Sequence, residues 1–193
     1  MKTQPTYRLL FWLLAAVGLS ADLASKHAIF AWLRDAPRHE QVIFPGVFSL
    51  VAQHEDGPDG NLVPYVNRGA LFGWMQGWGL KANTGFAAIS LIAAVAIIIW
   101  VGQRSTAADR GLCVALGLIL GGTLGNLYDR LVFGGVRDFL HWRVPDWPVF
   151  NLADCCLVIG AGLLLLQAFR AQPKETPEES LALAGAQPVG AEK

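Results

Sequence analysis

Four long apolar runs, separated by polar connections, dominate the chain and predict four helices able to cross a bilayer, each of which needs about 20 mostly apolar residues. Residues 82–101 form the clearest run, with no charge at all. Residues 111–128 are also uncharged and stop at Asp129-Arg130, whereas 152–169 hold a single charge, Asp154. The first span, at about 7–25, contains a shorter uninterrupted apolar stretch, 9–21. Its pattern continues through 28–33, and Asp22 and Lys26 are spaced i, i+4 on one helical face. That reads as a membrane helix with its polar end at an interface. Lys2 and Arg8 ahead of a short apolar stretch also fit a cleaved secretory leader, but no small-residue cleavage site follows.

Between the first two spans, residues 42–53 and 62–72 are rich in Val, Phe, Tyr and Leu and flank the turn-like Glu55-Asp56-Gly57-Pro58-Asp59-Gly60. Two short strands joined by a loop are expected, forming a small extracytoplasmic sheet over about 40–75. The fold class is therefore mainly α: a polytopic membrane protein of four transmembrane helices with a small extracytoplasmic β-sheet. Residues 1–170 make up the membrane domain, and 171–193, with Pro, Glu and Ala but little apolar periodicity, are expected to be a disordered cytoplasmic tail.

Composition agrees. Of 193 residues, 53% are hydrophobic and 16% charged, against roughly 25% charged in soluble domains. Net charge is zero, which gives no ground for a nucleic-acid partner. Cys113, Cys155 and Cys156 make no disulfide framework, and the scattered His27, His39, His54 and His141 have no metal-ligand spacing. Arg104 and Arg110 lie in the short loop between spans two and three, and Lys2, Arg8, Arg170 and Lys174 flank the outer spans. The positive-inside rule therefore puts that loop and both termini in the cytoplasm. Gly117, Gly121 and Gly125 repeat every fourth residue, a pattern for close helix packing. Gly122 lies on the neighbouring stripe and opens room for backbone or substrate.

The candidate chemistry gathers at the outer ends of spans three and four. Asp154 lies within an apolar run, where an unpaired charge costs several kcal/mol. Asp138 stands in the connection that precedes it. The hairpin brings both to one interface, which suggests a carboxylate dyad. Two carboxylates about 3 Å apart share one proton near neutral pH. The ionised member can then activate water and the protonated member can polarise a carbonyl and protonate the leaving amine. Titration belongs to the pair, so base and acid are not assigned. Asn126, Asp129 and Arg130 share a helix face, with Asp129–Arg130 also readable as a structural ion pair. Ser20 and Ser25-Lys26 hint at a Ser–Lys protease, but Lys26 is more simply the partner of Asp22. Two rivals differ in class: a proton- or ion-coupled carrier using intramembrane carboxylates, and a scaffold with snorkelling acids. Carriers place such groups near the midplane, often in repeated halves. Here the acids sit at span ends and no repeat is evident.

Five motifs occur in order: Asp22-x-x-Ser25-Lys26, Asn67-x-Gly69-Ala70-x-Phe72, Gly121-Gly122-x-x-Gly125-Asn126-x-x-Asp129-Arg130, Val136-x-Asp138-Phe139 and Phe150-Asn151-x-Ala153-Asp154. Together they resemble the signature of lipoprotein signal peptidase (signal peptidase II). The resemblance implies an aspartic endopeptidase of the bacterial inner membrane, with its site at the extracytoplasmic face. Such an enzyme removes signal peptides from prolipoproteins just before a diacylglyceryl-modified cysteine. It also implies catalytic roles for Asp138 and Asp154. Asn67, Gly69, Gly122, Asn126, Arg130 and Asn151 would line the site or contact substrate, and Asp22, Lys26 and Asp129 would support it. The partners are the lipid-modified prolipoprotein and membrane lipid. A monomer is expected, with no metal or cofactor. Leu23 stands where the family usually has Gln, and Arg68 and Leu71 stand where Thr and Ala are common. The stretch 54–64 is longer than usual.

Overall fold

The computed structural model describes residues 5–69 and 79–170. Four of its helices are long and apolar enough to cross a membrane: α1 (Arg8–Leu33), α2 (Gly79–Gly102), α4 (Arg110–Val132) and α5 (Leu152–Arg170). A short α3 (Arg104–Ala107) turns the chain between α2 and α4. Strands β1 (Glu40–Phe44), β2 (Phe48–Val51), β3 (His54–Asp56) and β4 (Leu62–Pro64) lie between α1 and α2, and β5 (Leu140–Trp142) between α4 and α5. Helix α1 runs on to Leu33 without a break, so Asp22 and Lys26 lie well inside it rather than near its end.

Helix α4 is the centre of the bundle, packing against α1, α2 and α5. Asp109 caps its start, the carboxylate accepting the Leu112 N–H at 3.0 Å. Gly134, in the left-handed region at φ +72°, lets the chain turn away just past its end. The glycine stripe explains the close approach to α1. A Cβ on Gly117 or Gly121 would stand 2.8 Å from the Phe11 carbonyl oxygen or 2.9 Å from that of Ala15. In lipid, apolar burial drives helix association little, so this backbone proximity and its van der Waals contact stabilise the pair. Phe11, Ala15, Leu116 and Leu120 form the adjoining core. The outer faces of α2 and α5 present Ile89, Ile92, Val158 and Leu165 to the surroundings. In water this would be a large exposed apolar surface; in hydrocarbon it is the expected face.

The strand region departs from expectation. Residues 42–53 are not one strand: the chain reverses at Pro45-Gly46, and β1 pairs antiparallel with β2. β2 then pairs with β5, giving the order β1-β2-β5. The loop at 57–60 joins the separate hairpin β3–β4, in which Leu62–Pro64 is the only strand found in 62–69; residues 70–72 of that expected strand lie outside the described residues. So does the expected tail at 171–193. Phe30 and Leu33 of α1 pack with Ala52 and Phe139. That cluster seats the three-stranded sheet on the end of the bundle where α4 finishes and α5 begins.

Candidate active site

The last turns of α4 carry Asn126, Asp129 and Arg130 toward this end of the bundle. Beyond Gly134 the chain extends, and Val136 exchanges backbone hydrogen bonds with Asn67 at 2.8 and 2.9 Å. This bridge sets Asn67 beside Asp138. Residue 140 then pairs with Phe150, which returns the chain so that Asn151 begins α5 next to the same carboxylate. Asn151 and Asp154 cap α5 reciprocally. The Asn151 side-chain oxygen accepts the Asp154 N–H at 3.1 Å, and Asp154 Oδ2 accepts the Asn151 N–H at 3.2 Å.

Amide groups hold both acids. Asp138 accepts from Asn67 Nδ2 at 3.1 Å on one oxygen and from Asn151 Nδ2 at 2.7 Å on the other. Asp154 Oδ1 accepts from Asn126 Nδ2 at 2.8 Å. Asn151 therefore touches both carboxylates, which stand on either side of one residue. The Gly69 N–H donates to Asn67 Oδ1 at 3.0 Å, turning the Asn67 amino group toward Asp138. Burial, and after it the negative charge of Asp154, push the Asp138 carboxyl up to about 6 from the usual 3.8.

Beneath the acids lies a charged network with almost no exposure. Lys26 Nζ meets Asp22 at 2.8 Å and Asp129 at 3.3 Å, and donates to Asn126 Oδ1 at 3.1 Å. Asp129 also accepts from the Arg137 backbone N–H at 2.9 Å and its guanidinium at 2.8 and 3.2 Å. Asp22 accepts the Ala153 N–H at 2.9 Å, which ties the start of α5 to α1. Two acids and two bases balance, as buried charges must.

Above the acids opens a cavity of about 650 Å³. Asp138, Asp154, Asn67 and Arg130 make its polar floor, and Val149, Phe150, Leu157 and Val158 much of its apolar wall. The Arg130 guanidinium lies over the Phe86 ring, 5.6 Å from its centre. A small polar floor under an apolar wall that reaches the outer face of α5 suits an extended, partly apolar ligand entering from the side.

Every site residue read from the sequence falls in or directly under this constellation, with differing contacts. Gly122 lies where a Cβ would be driven into the Ala153 carbonyl, so the room it leaves is filled by α5 backbone. The Asp129–Arg130 ion pair does not form. Adjacent helical residues do not face each other, so Asp129 turns inward to Lys26 and Arg137 while Arg130 turns to the cavity. Arg68 is half-exposed, 4.0 Å from Glu55. Sequence reasoning missed Arg137, the unnamed position of Val136-x-Asp138, and Asn83, which donates to the Arg130 carbonyl at 3.1 Å. A polar residue inside the second apolar run was the available signal for Asn83.

Comparison with known proteins completes the picture. The model of the family "Signal peptidase (SPase) II" matches residues 14–170. The lipoprotein signal peptidase of Rhodopirellula baltica is 43% identical over 176 residues, 83% of this chain and 71% of that protein. That of Aeromonas hydrophila is 37% identical over 167 residues, 85% of this chain and 91% of its own length. A solved bacterial membrane enzyme structure, obtained by the in meso method at 2.3 Å, superposes with a TM-score of 0.71 at 23% identity, covering 91% of this chain and 98% of that one. A second, at 1.9 Å, gives 0.64 at 19% identity, covering 89% and 100%; at these identities the structures speak for the fold. With four membrane-capable helices and a family match over most of its length, this chain belongs to the signal peptidase II family of membrane proteases.

Proposed function

We propose that this chain is an aspartic endopeptidase that cleaves diacylglyceryl-modified prolipoproteins just before the lipidated cysteine, using Asp138 and Asp154. The observation that carries the reading is the pair of carboxylates set on either side of Asn151 at the floor of a laterally placed cavity. Related proteins named lipoprotein signal peptidase supply the substrate class.

Attack starts from the form of the dyad in which one carboxylate is ionised and the other holds a proton. The ionised carboxylate takes a proton from water as its oxygen attacks the scissile carbonyl, and the protonated one donates toward the developing oxyanion. Collapse of the tetrahedral intermediate breaks the C–N bond, and the dyad returns a proton to the leaving amine. Asn67, Asn126 and Asn151 keep N–H groups on the carboxylates throughout, and the Arg130 cation faces the developing negative charge. Water and two carboxylates suffice, so the mechanism calls for no metal or organic cofactor. A lipid-anchored substrate stays in the bilayer, so its scissile bond reaches the site laterally at the interface. The enzyme acts as a monomer in the bacterial inner membrane, both termini cytoplasmic and the site outward. The carrier reading finds no support, because the acids sit at the α4–α5 hairpin rather than mid-span.

The test is cleavage of a purified prolipoprotein with and without its diacylglyceryl group. The lipidated form is expected to yield one product beginning at the modified cysteine. Equal turnover of both forms, or a cut elsewhere, would refute the assignment of substrate.

A further inference from the structure

Lys26 is fully buried and lies outside the cavity wall, yet one of its bonds leads to the acids. An ammonium has three N–H donors and no acceptor. Here the ammonium meets Asp22 Oδ2 at 2.8 Å as a hydrogen-bond acceptor, Asp129 Oδ2 at 3.3 Å as an ion-pair partner and Asn126 Oδ1 at 3.1 Å as its second acceptor. Charge neutralisation accounts for the first two. The third goes to an amide whose other end faces Asp154: Asn126 Nδ2 donates to Asp154 Oδ1 at 2.8 Å.

We infer that Lys26 is a positioning residue for the reaction, holding and polarising the Asn126 amide so that an N–H stays on Asp154 and favours the ionised form of one member of the dyad. The inference rests on the dyad reading above. An amide carbonyl facing a cation cannot turn round without setting its NH₂ against that cation, so the ammonium fixes which end Asp154 sees. Hydrogen bonding to the cation also draws electron density along the amide, which strengthens donation at its far end. Asn151 reinforces the same polarity. Its Nδ2 donates to Asn126 Oδ1 at 3.1 Å as well as to Asp138 Oδ1, and its own orientation is fixed by the Asp154 N–H. Polarity thus runs from Lys26 through Asn126 to Asp154, and Asn151 carries it across to Asp138.

The other groups around Lys26 make the relay testable. Asp22, Lys26, Asp129 and Arg137 sum to zero charge, so Lys26→Met combined with Asp22→Asn keeps the network neutral, and an Asn at 22 can still accept the Ala153 N–H. The measurement is the pH profile of kcat/KM for cleavage of the lipid-modified prolipoprotein, with the Asp22→Asn single variant alongside. Without the ammonium the ionised dyad is less favoured, so the acidic limb in the double variant is expected to move up by about one pH unit, a tenfold change in proton affinity. KM should stay within about twofold of its original value, and the limb in Asp22→Asn, which keeps the ammonium and loses a negative charge, should not move up. A double variant that melts earlier but keeps its acidic limb would overturn the relay, as would equal displacement in both variants. Should the double variant fail to insert, Asn126→Leu gives the same reading, because no N–H then reaches Asp154 Oδ1 and no charge is added; an unmoved limb there would also overturn it. Cleavage persisting in Asp138→Asn or Asp154→Asn would instead remove the dyad itself, which keeps the two failures apart.

Discussion

Asp138→Asn separates the chemical role of this carboxyl from its effect on folding. Burial and the charge of Asp154 raise the folded group to about 6 from the usual 3.8. Between those two values the folded protein holds a proton that the unfolded chain has released. Stability therefore falls as pH rises through that window and is fully present only below it. The rise from 3.8 to about 6 corresponds to roughly 3 kcal/mol lost between pH 4 and pH 7. Asparagine does not titrate, so the variant lacks this loss. It does have only one oxygen for the two amino groups of Asn67 and Asn151, and orphaning one donor costs about 1–3 kcal/mol at every pH. The variant should then melt below the parent at pH 4 and gain on it by about 3 kcal/mol by pH 7, roughly 6–12 °C for a chain of this size. Thermal unfolding in detergent, followed by tryptophan fluorescence at each pH unit, measures the gap. Melting curves that stay parallel from pH 4 to pH 7 would refute the electrostatic reasoning.

Gly122→Ala pushes a methyl into the Ala153 carbonyl and toward Leu157, shifting the first turn of α5 and Asp154 with it. A stability loss of about 1–3 kcal/mol and at least a tenfold fall in kcat are expected, whereas Gly162→Ala, where a Cβ meets nothing within 4 Å, should change neither; cleavage assays and melting on both variants check this. Arg68, next in sequence to the cavity-lining Asn67 and Gly69, is half-exposed and only loosely paired with Glu55, which leaves its cation able to meet a lipid phosphate. Arg68→Thr is expected to raise KM several-fold with kcat preserved, and an unchanged KM would argue against that contact.

The membrane helices were legible because hydrocarbon imposes a simple demand: long apolar runs, with each charge explained. That same demand exposed Asp154. The i, i+4 spacing of Asp22 and Lys26 also translated directly into contact, since a helix fixes that geometry locally. What stayed hidden depends on distant pairing. Nothing local says that β2 takes β5 as its second neighbour, across the whole length of α2 and α4. Pro45-Gly46 was visible as a turn signal but sat inside a stretch whose apolar content favoured one longer strand. Asp129 offered two cations within reach, one adjacent in sequence and one beyond Gly134. Only the turn made by that glycine brings Arg137 back to it. Asn151 illustrates the middle case. The motif marked it as a site residue, but its part as the cap of α5 that also bonds both acids follows from the chain returning beside β5.

The most direct measurement is single-turnover cleavage of a diacylglyceryl-modified prolipoprotein by purified Asp138→Asn and Asp154→Asn proteins, each first shown to insert and to bind substrate. Losing either acid removes general acid–base catalysis of roughly 10²–10⁴-fold, so both variants are expected to fall at least a hundredfold while binding is kept. Cleavage by either at close to the parent rate would contradict hydrolysis by a carboxylate pair at the head of α5.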